Sequence, residues 1–158
     1  MSESVIDTVR SRSTRANVAR LILRLTLGVI MIAHGWQKIA PGGLGGVGAA
    51  FESMGVPGGA FFGPLVALLE LVGGIAMVVG VATPVVGWLF ALTMLGAIFL
   101  VHGADGFYAG QGGFEFVLLL GVVAVYLALT GPGRYSVDAV LAPRILGERI
   151  AKAVGLSG

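Results

Sequence analysis

Seven side chains in this sequence have the chemistry to serve a site and lie in or beside strongly apolar stretches: Arg24, His34, Lys38, Glu70, His102, Glu115 and Tyr126. His34 and His102 are the only histidines. Imidazoles beside carboxylates suit proton transfer and hydrogen bonding to the carbonyl oxygens of a lipid-soluble carrier such as a quinone. The set His34, His102 and Glu115 has donors that suit a zinc- or iron-type metal or a haem. That is the less favoured alternative, because no His-x-x-x-His or Glu-x-x-His spacing accompanies it. Cysteine is absent, which removes dithiol exchange and thiolate ligation from this chain's own chemistry. No glycine-rich phosphate loop and no haem-attachment motif occurs, so nucleotide binding has no support.

The elements that must position these groups follow from composition. Of the residues, 56% are hydrophobic and 11% charged, and the mean hydropathy is +0.96. A water-facing domain carries about 25% charged residues, so the solvent here must be lipid. Lipid offers backbone groups no water, and only helices or closed barrels satisfy them internally. The apolar runs are too continuous for barrel strands, which leaves an all-α protein. Four stretches, about 18–36, 62–82, 84–102 and 114–130, are long enough to cross a hydrocarbon core. The polar start followed by several apolar segments does not resemble a signal peptide.

Charge outside the spans sets the expected orientation. Arg10, Arg12, Arg15 and Arg20 lie before or at the start of the first span, and Arg134, Arg144, Arg149 and Lys152 follow the last; only Lys38 lies on the other face. The positive-inside rule then predicts a multi-pass protein of the plasma or inner membrane with both termini cytoplasmic. The basic flanks are read as this topological signal, and no nucleic-acid partner is expected.

The expected fold is a polytopic four-helix bundle built from two parallel helical-hairpin repeats. Residues 1–17 form a basic cytoplasmic segment, 18–141 the four-span domain, and 142–158 an amphipathic cytoplasmic segment. The repeat rests on Leu27-Gly28, five residues, His34-Gly35, matched by Leu95-Gly96, five residues, His102-Gly103. It predicts both histidines at one depth near the outer leaflet, with Glu70 or Glu115 within hydrogen-bonding or single-water reach of at least one. Thr83 is expected to cap the third span, with Pro84 at its first helical position. Val47, Ala50, Phe51 and Met54 share one helical face and predict a short interfacial helix in the first outer loop, and Leu146, Ile150, Ala153 and Val154 predict another at the C-terminus.

The ionisable residues within spans should face the interior. Glu70 shares a stripe with Ala67, Gly73, Gly74 and Met77, small residues that let a neighbouring helix approach. Glu115, Leu119, Val122 and Tyr126 follow one face, which would put the Tyr126 phenol deep in the bundle. Arg24 is a candidate for a buried pair, with snorkelling to headgroups as the competing reading. For the histidines, simple capping competes with proton or quinone chemistry.

Several blocks together resemble the DoxX family: His34-Gly35-Trp36-Gln37-Lys38, the loop ending Phe51-Glu52-Ser53-Met54-Gly55-Val56-Pro57, Leu69-Glu70-Leu71-Val72-Gly73-Gly74, His102, Gly113-Phe114-Glu115 and the tail Gly131-Pro132-Gly133-Arg134-Tyr135-Ser136-Val137-Asp138. The resemblance spans roughly Arg20 to Leu141. It implies a four-helix inner-membrane protein associated with quinone-linked or oxidative-stress redox assemblies, with redox-enzyme subunits as partners beside the lipid bilayer and the chance of a homo-oligomer. Catalysis by this chain alone is not expected. A non-catalytic assembly scaffold and a small-solute transporter are the alternatives.

Overall fold

The structure is a computed structural model that describes residues 3–147, 149 and 150. It is all-helical, with no strand among the described residues. In chain order the α-helices are α1 (Glu3–Ile39), α2 (Gly43–Ser53), α3 (Gly59–Val79), α4 (Thr83–Ala97), α5 (Glu115–Thr130) and α6 (Val137–Leu146). A π-helical turn, Ile98–His102, continues α4, and two short 3₁₀ turns follow it. Three helical stretches, Ser13–Ile39, Gly59–Val79 and Thr83–Asp105, are long and apolar enough to cross a membrane, and Glu115–Thr130 is a shorter apolar helix. Each of the four expected apolar stretches is thus largely helical, three of them at crossing length and the fourth shorter. The basic segment before the first span is itself helical from Glu3 onward and continuous with α1.

The inward stripe of α1 is Asn17, Arg20, Arg24, Leu27, Met31, His34 and Lys38, spaced alternately by three and four residues. That spacing keeps one helix face toward its neighbours. Its apolar middle joins a core of Leu27, Met31, Met77, Val86, Phe90, Met94, Leu120, Ala124 and Leu127. Its polar ends reach the two ends of the bundle, called here the arginine end and the histidine end. α1 packs mainly on α3, and α4 on α5. The α1–α3 contact is set by small residues: a β-carbon at Gly35 would lie 2.6 Å from the Leu71 amide nitrogen, and one at Gly74 would lie 2.8 Å from the Gly28 carbonyl oxygen. Without a hydrophobic drive between helices in lipid, such close backbone approach is what holds them together. At α4 and α5, Gly87 performs the same service beside Ala124 and Ala128.

The matching Leu-Gly-x5-His-Gly blocks do not sit in equivalent surroundings. Leu27 is 1% exposed whereas Leu95 is 50% exposed, and a β-carbon at Gly96 would meet nothing within 4 Å. The π turn between Gly96 and Gly103 changes the rotation per residue, so equal spacing does not give equal facing. The expected short helix of the first loop is present as α2, and it docks on α3 through Val47 and Gly48, while Ala50 and Met54 stay exposed. The C-terminal face predicted from Leu146, Ile150, Ala153 and Val154 lies largely outside the described residues.

Candidate functional site

At the histidine end, Lys38 in the last turn of α1 forms an ion pair with Glu70 of α3. The Glu70 side chain is 5% exposed and that of Lys38 29%. The carboxylate is carried by the small-residue stripe Ala67, Glu70, Gly73, Gly74 and Met77, all buried, as that stripe predicts. A carboxylate inside an apolar bundle is costly unless a cation compensates it, and Lys38 is that cation. The ammonium also lies at the C-terminal end of α1, where the helix dipole favours positive charge.

His34 lies one turn back from Lys38 on the same face of α1 and is half-buried. Its ring is 6.1 Å, centroid to centroid, from that of Phe116 at the start of α5, with a 40° tilt. The cluster His34, Lys38 and Glu70 thus combines an imidazole, an ammonium and a carboxylate at one end of the bundle, with the Phe116 ring beside the imidazole.

The other candidates divide. His102 Nδ1 is 2.7 Å from the Gly112 carbonyl oxygen. A carbonyl only accepts, so Nδ1 is the donor in this contact. Glu115 Oε1 accepts from the Ala109 amide at 2.8 Å. Both residues therefore brace the loop that joins α4 to α5. Of the expected hydrogen-bonding or single-water reach between a histidine and Glu70 or Glu115, no direct hydrogen bond is formed among the described residues: Glu70 bonds Lys38, and Glu115 bonds backbone. Nor do three His, Cys, Asp or Glu side chains gather to suit a metal there, so His34, His102 and Glu115 do not fit as a ligand set.

Two further expectations are corrected. Tyr126 is 39% exposed, and its neighbours on that face, Leu119 and Val122, are more so. α5 instead buries Leu120, Ala124, Leu127 and Ala128, because small residues there admit the close approach of α4. Arg24 is buried, 2% exposed, and among the described residues it forms no direct ion pair, although the Asp138 carboxylate acts on it electrostatically. Its Nη1 donates to the Pro132 carbonyl at 2.8 Å and its Nη2 to the Tyr135 carbonyl at 2.6 Å. These carbonyls follow the end of α5, where backbone acceptors lack helical partners and a cation is favoured. Arg24 and Lys38 lie 14 residues apart on α1, or about 21 Å, so the two polar ends are separate.

Sequence reasoning did not single out Asn17 or assign a role to Asp138. Asn17 Oδ1 accepts from the Arg134 amide at 3.1 Å. Asp138 is buried and accepts from the amides of Ala82, at 2.9 Å, and Thr83, at 3.1 Å. It caps α4 in place of the expected Thr83 hydroxyl, which is buried with no hydrogen-bond partner. Ala82 needs that help, with a left-handed φ of 50°. The alternating stripe of α1 carried the signal for Asn17; nothing local carried that for Asp138.

Comparison with known proteins agrees with a membrane protein. A family model described as DoxX matches residues 19–103. The chain is 38% identical over 121 residues to "Putative oxidoreductase CatD" of Bacillus subtilis (strain 168), covering 77% of this chain and 85% of that protein. It is 37% identical over 127 residues to "Inner membrane protein YqjF" of Escherichia coli (strain K12), covering 79% and 93%. An uncharacterized membrane protein of Mycobacterium tuberculosis (strain ATCC 25618 / H37Rv) is 31% identical over 137 residues, covering 78% and 82%. No solved structure matches. The family match over more than half of the chain and these relatives along more than three-quarters of it lead to one conclusion: the chain belongs to the DoxX family of membrane proteins.

Proposed function

We propose that this protein is the membrane-embedded subunit of a redox-linked assembly and that His34, Lys38 and Glu70 hold the head group of a quinone or a similar lipid-soluble carrier. The observation that carries this reading is the Lys38–Glu70 ion pair set into an apolar bundle one turn from a half-buried histidine. A quinone carbonyl accepts hydrogen bonds from an ammonium and an imidazole, and Phe116 offers its ring a stacking surface. Reduction to the quinol takes two electrons and two protons. A partner oxidoreductase supplies the electrons, and His34 passes protons at the carbonyl oxygen while Glu70 keeps Lys38 in place. One relative has oxidoreductase in its name, which supports the redox setting.

In this reading the chain crosses the plasma or inner membrane four times with both termini cytoplasmic. α1 with α3 and α4 with α5 form its two hairpins, and α2 rests on the outer interface. Catalysis needs the partner. The test is quenching of tryptophan fluorescence in purified full-length protein by a short-chain ubiquinone and a short-chain menaquinone. Saturable quenching, weakened about ten-fold by His34→Ala, is the expected result; no saturable quenching by either compound ends the proposal.

A second reading is favoured by one observation: the ion pair also ties α1 to α3. As a pure helix lock it would serve an assembly scaffold, and the His34→Ala protein would then keep its fold and lose nothing measurable.

A further inference from the structure

The arginine end holds a second polar cluster that the proposed carrier site does not use. The segment after α5 folds back over the start of the α1 stripe, and a single atom, Asn17 Oδ1, receives both the Arg134 amide at 3.1 Å and Arg20 Nη1 at 3.4 Å. The backbone at Gly133 lies against Arg20: a β-carbon there would be 3.5 Å from Arg20 Cδ. Two arginine positions are therefore brought together on one neutral acceptor.

Neither guanidinium forms an ion pair with an acid among the described residues. Among the described residues the one ion pair is Lys38–Glu70, at the opposite end. The acid among the described side chains of this end is Asp138, which accepts from the amides of Ala82 and Thr83 and whose charge acts on Arg24. Arg20 Nε is buried with no hydrogen-bond partner. Arg134 is exposed, and its described side-chain contact is a cation–π approach over the Tyr135 ring, 5.7 Å to the centroid. Like charges gathered without an acid are unfavourable unless an anion lies between them. Guanidinium forks match the oxygens of a phosphate.

We propose that Arg20 and Arg134, positioned by Asn17, bind the phosphate of an anionic phospholipid headgroup at the arginine end of the bundle. A free phosphate ion would satisfy the same forks, but the helices that carry or flank them also expose apolar side chains. These are Val18 and Ile22 on α1, Leu129 on α5, and Val140 and Leu141 on α6. An acyl chain covers such a collar and a bare anion does not.

The full-length protein, extracted in mild detergent and equilibrated with an equimolar mixture of phosphatidylglycerol and phosphatidylcholine, is assayed by native mass spectrometry for the lipid it retains. Wild-type protein should retain phosphatidylglycerol preferentially. Arg134→Gln should lower that preference about five-fold, without changing the melting temperature in lipid-free detergent. This exposed side chain makes the decisive variant, because the Asn17 contact uses its backbone. Arg20→Gln combined with it should abolish the preference. The control, Arg15→Gln with Arg144→Gln, removes the same charge from exposed positions elsewhere and should leave the preference intact. An equal loss in the control, an unchanged preference in Arg134→Gln, or displacement of the lipid by millimolar inorganic phosphate would each overturn the proposal.

Discussion

Lys38 and Glu70 show how one buried pair constrains the reading of a site. Removing the cation alone strands a carboxylate that is almost fully buried, and such half-pairs cost about 3–5 kcal/mol. Lys38→Met should therefore lower the melting temperature of the detergent-solubilised protein sharply. Lys38→Met with Glu70→Met, an apolar pair of similar bulk, should recover most of that loss, since replacing both partners is often neutral. If binding of a quinone is then absent while stability is restored, the pair serves the ligand. If the doubly substituted protein stays as unstable as Lys38→Met, the carboxylate was not the cause. At the other end, Asp138→Ala leaves two amides of the α3–α4 junction without an acceptor. A loss of about 1–2 kcal/mol is expected, as for a removed helix cap, and hydrogen exchange at Ala82 and Thr83 should rise before that of the core of α4.

Helix contacts explain why two glycines in matching sequence blocks should respond differently to the same change. At Gly28, the counterpart of Gly96, an added methyl group would enter the backbone of α3, at 2.8 Å from Gly74 O and 3.0 Å from Val78 N. Backbone cannot give way cheaply, so Gly28→Ala should cost about 1–3 kcal/mol through separation of α1 from α3. Gly96→Ala meets nothing within 4 Å, and alanine is the better helix former by about 1 kcal/mol. It should be neutral or stabilising. Thermal unfolding of the two variants side by side decides the matter: equal destabilisation would mean that both blocks pack alike, contrary to the exposure of Leu95.

For the whole molecule, the absence of cysteine makes orientation directly measurable, because any introduced thiol is the only one. With cytoplasmic termini, a membrane-impermeant maleimide should label Ala109→Cys in intact cells and label Arg144→Cys only after permeabilisation; the reverse pattern would invert the topology. What the sequence by itself determined was the class of solvent and an all-helical chain of long apolar helices. Those depend on additive quantities, apolar length and the cost of unsatisfied backbone in lipid, which no tertiary contact can overturn. The inward placement of Glu70 was also legible, because glycine and alanine around it mark the face where another helix can come close. Tyr126 was misplaced because its face was read from its spacing to Glu115, whereas α5 is apolar on nearly every face and its small-residue side, Ala124 and Ala128, decided which way it turned. Only the tertiary structure paired Lys38 with Glu70, sent Arg24 to the carbonyls after α5 and gave Asp138 the cap of α4. These partners lie 32 to 111 residues apart in the chain, and local periodicity fixes which face a residue occupies without fixing what stands opposite it.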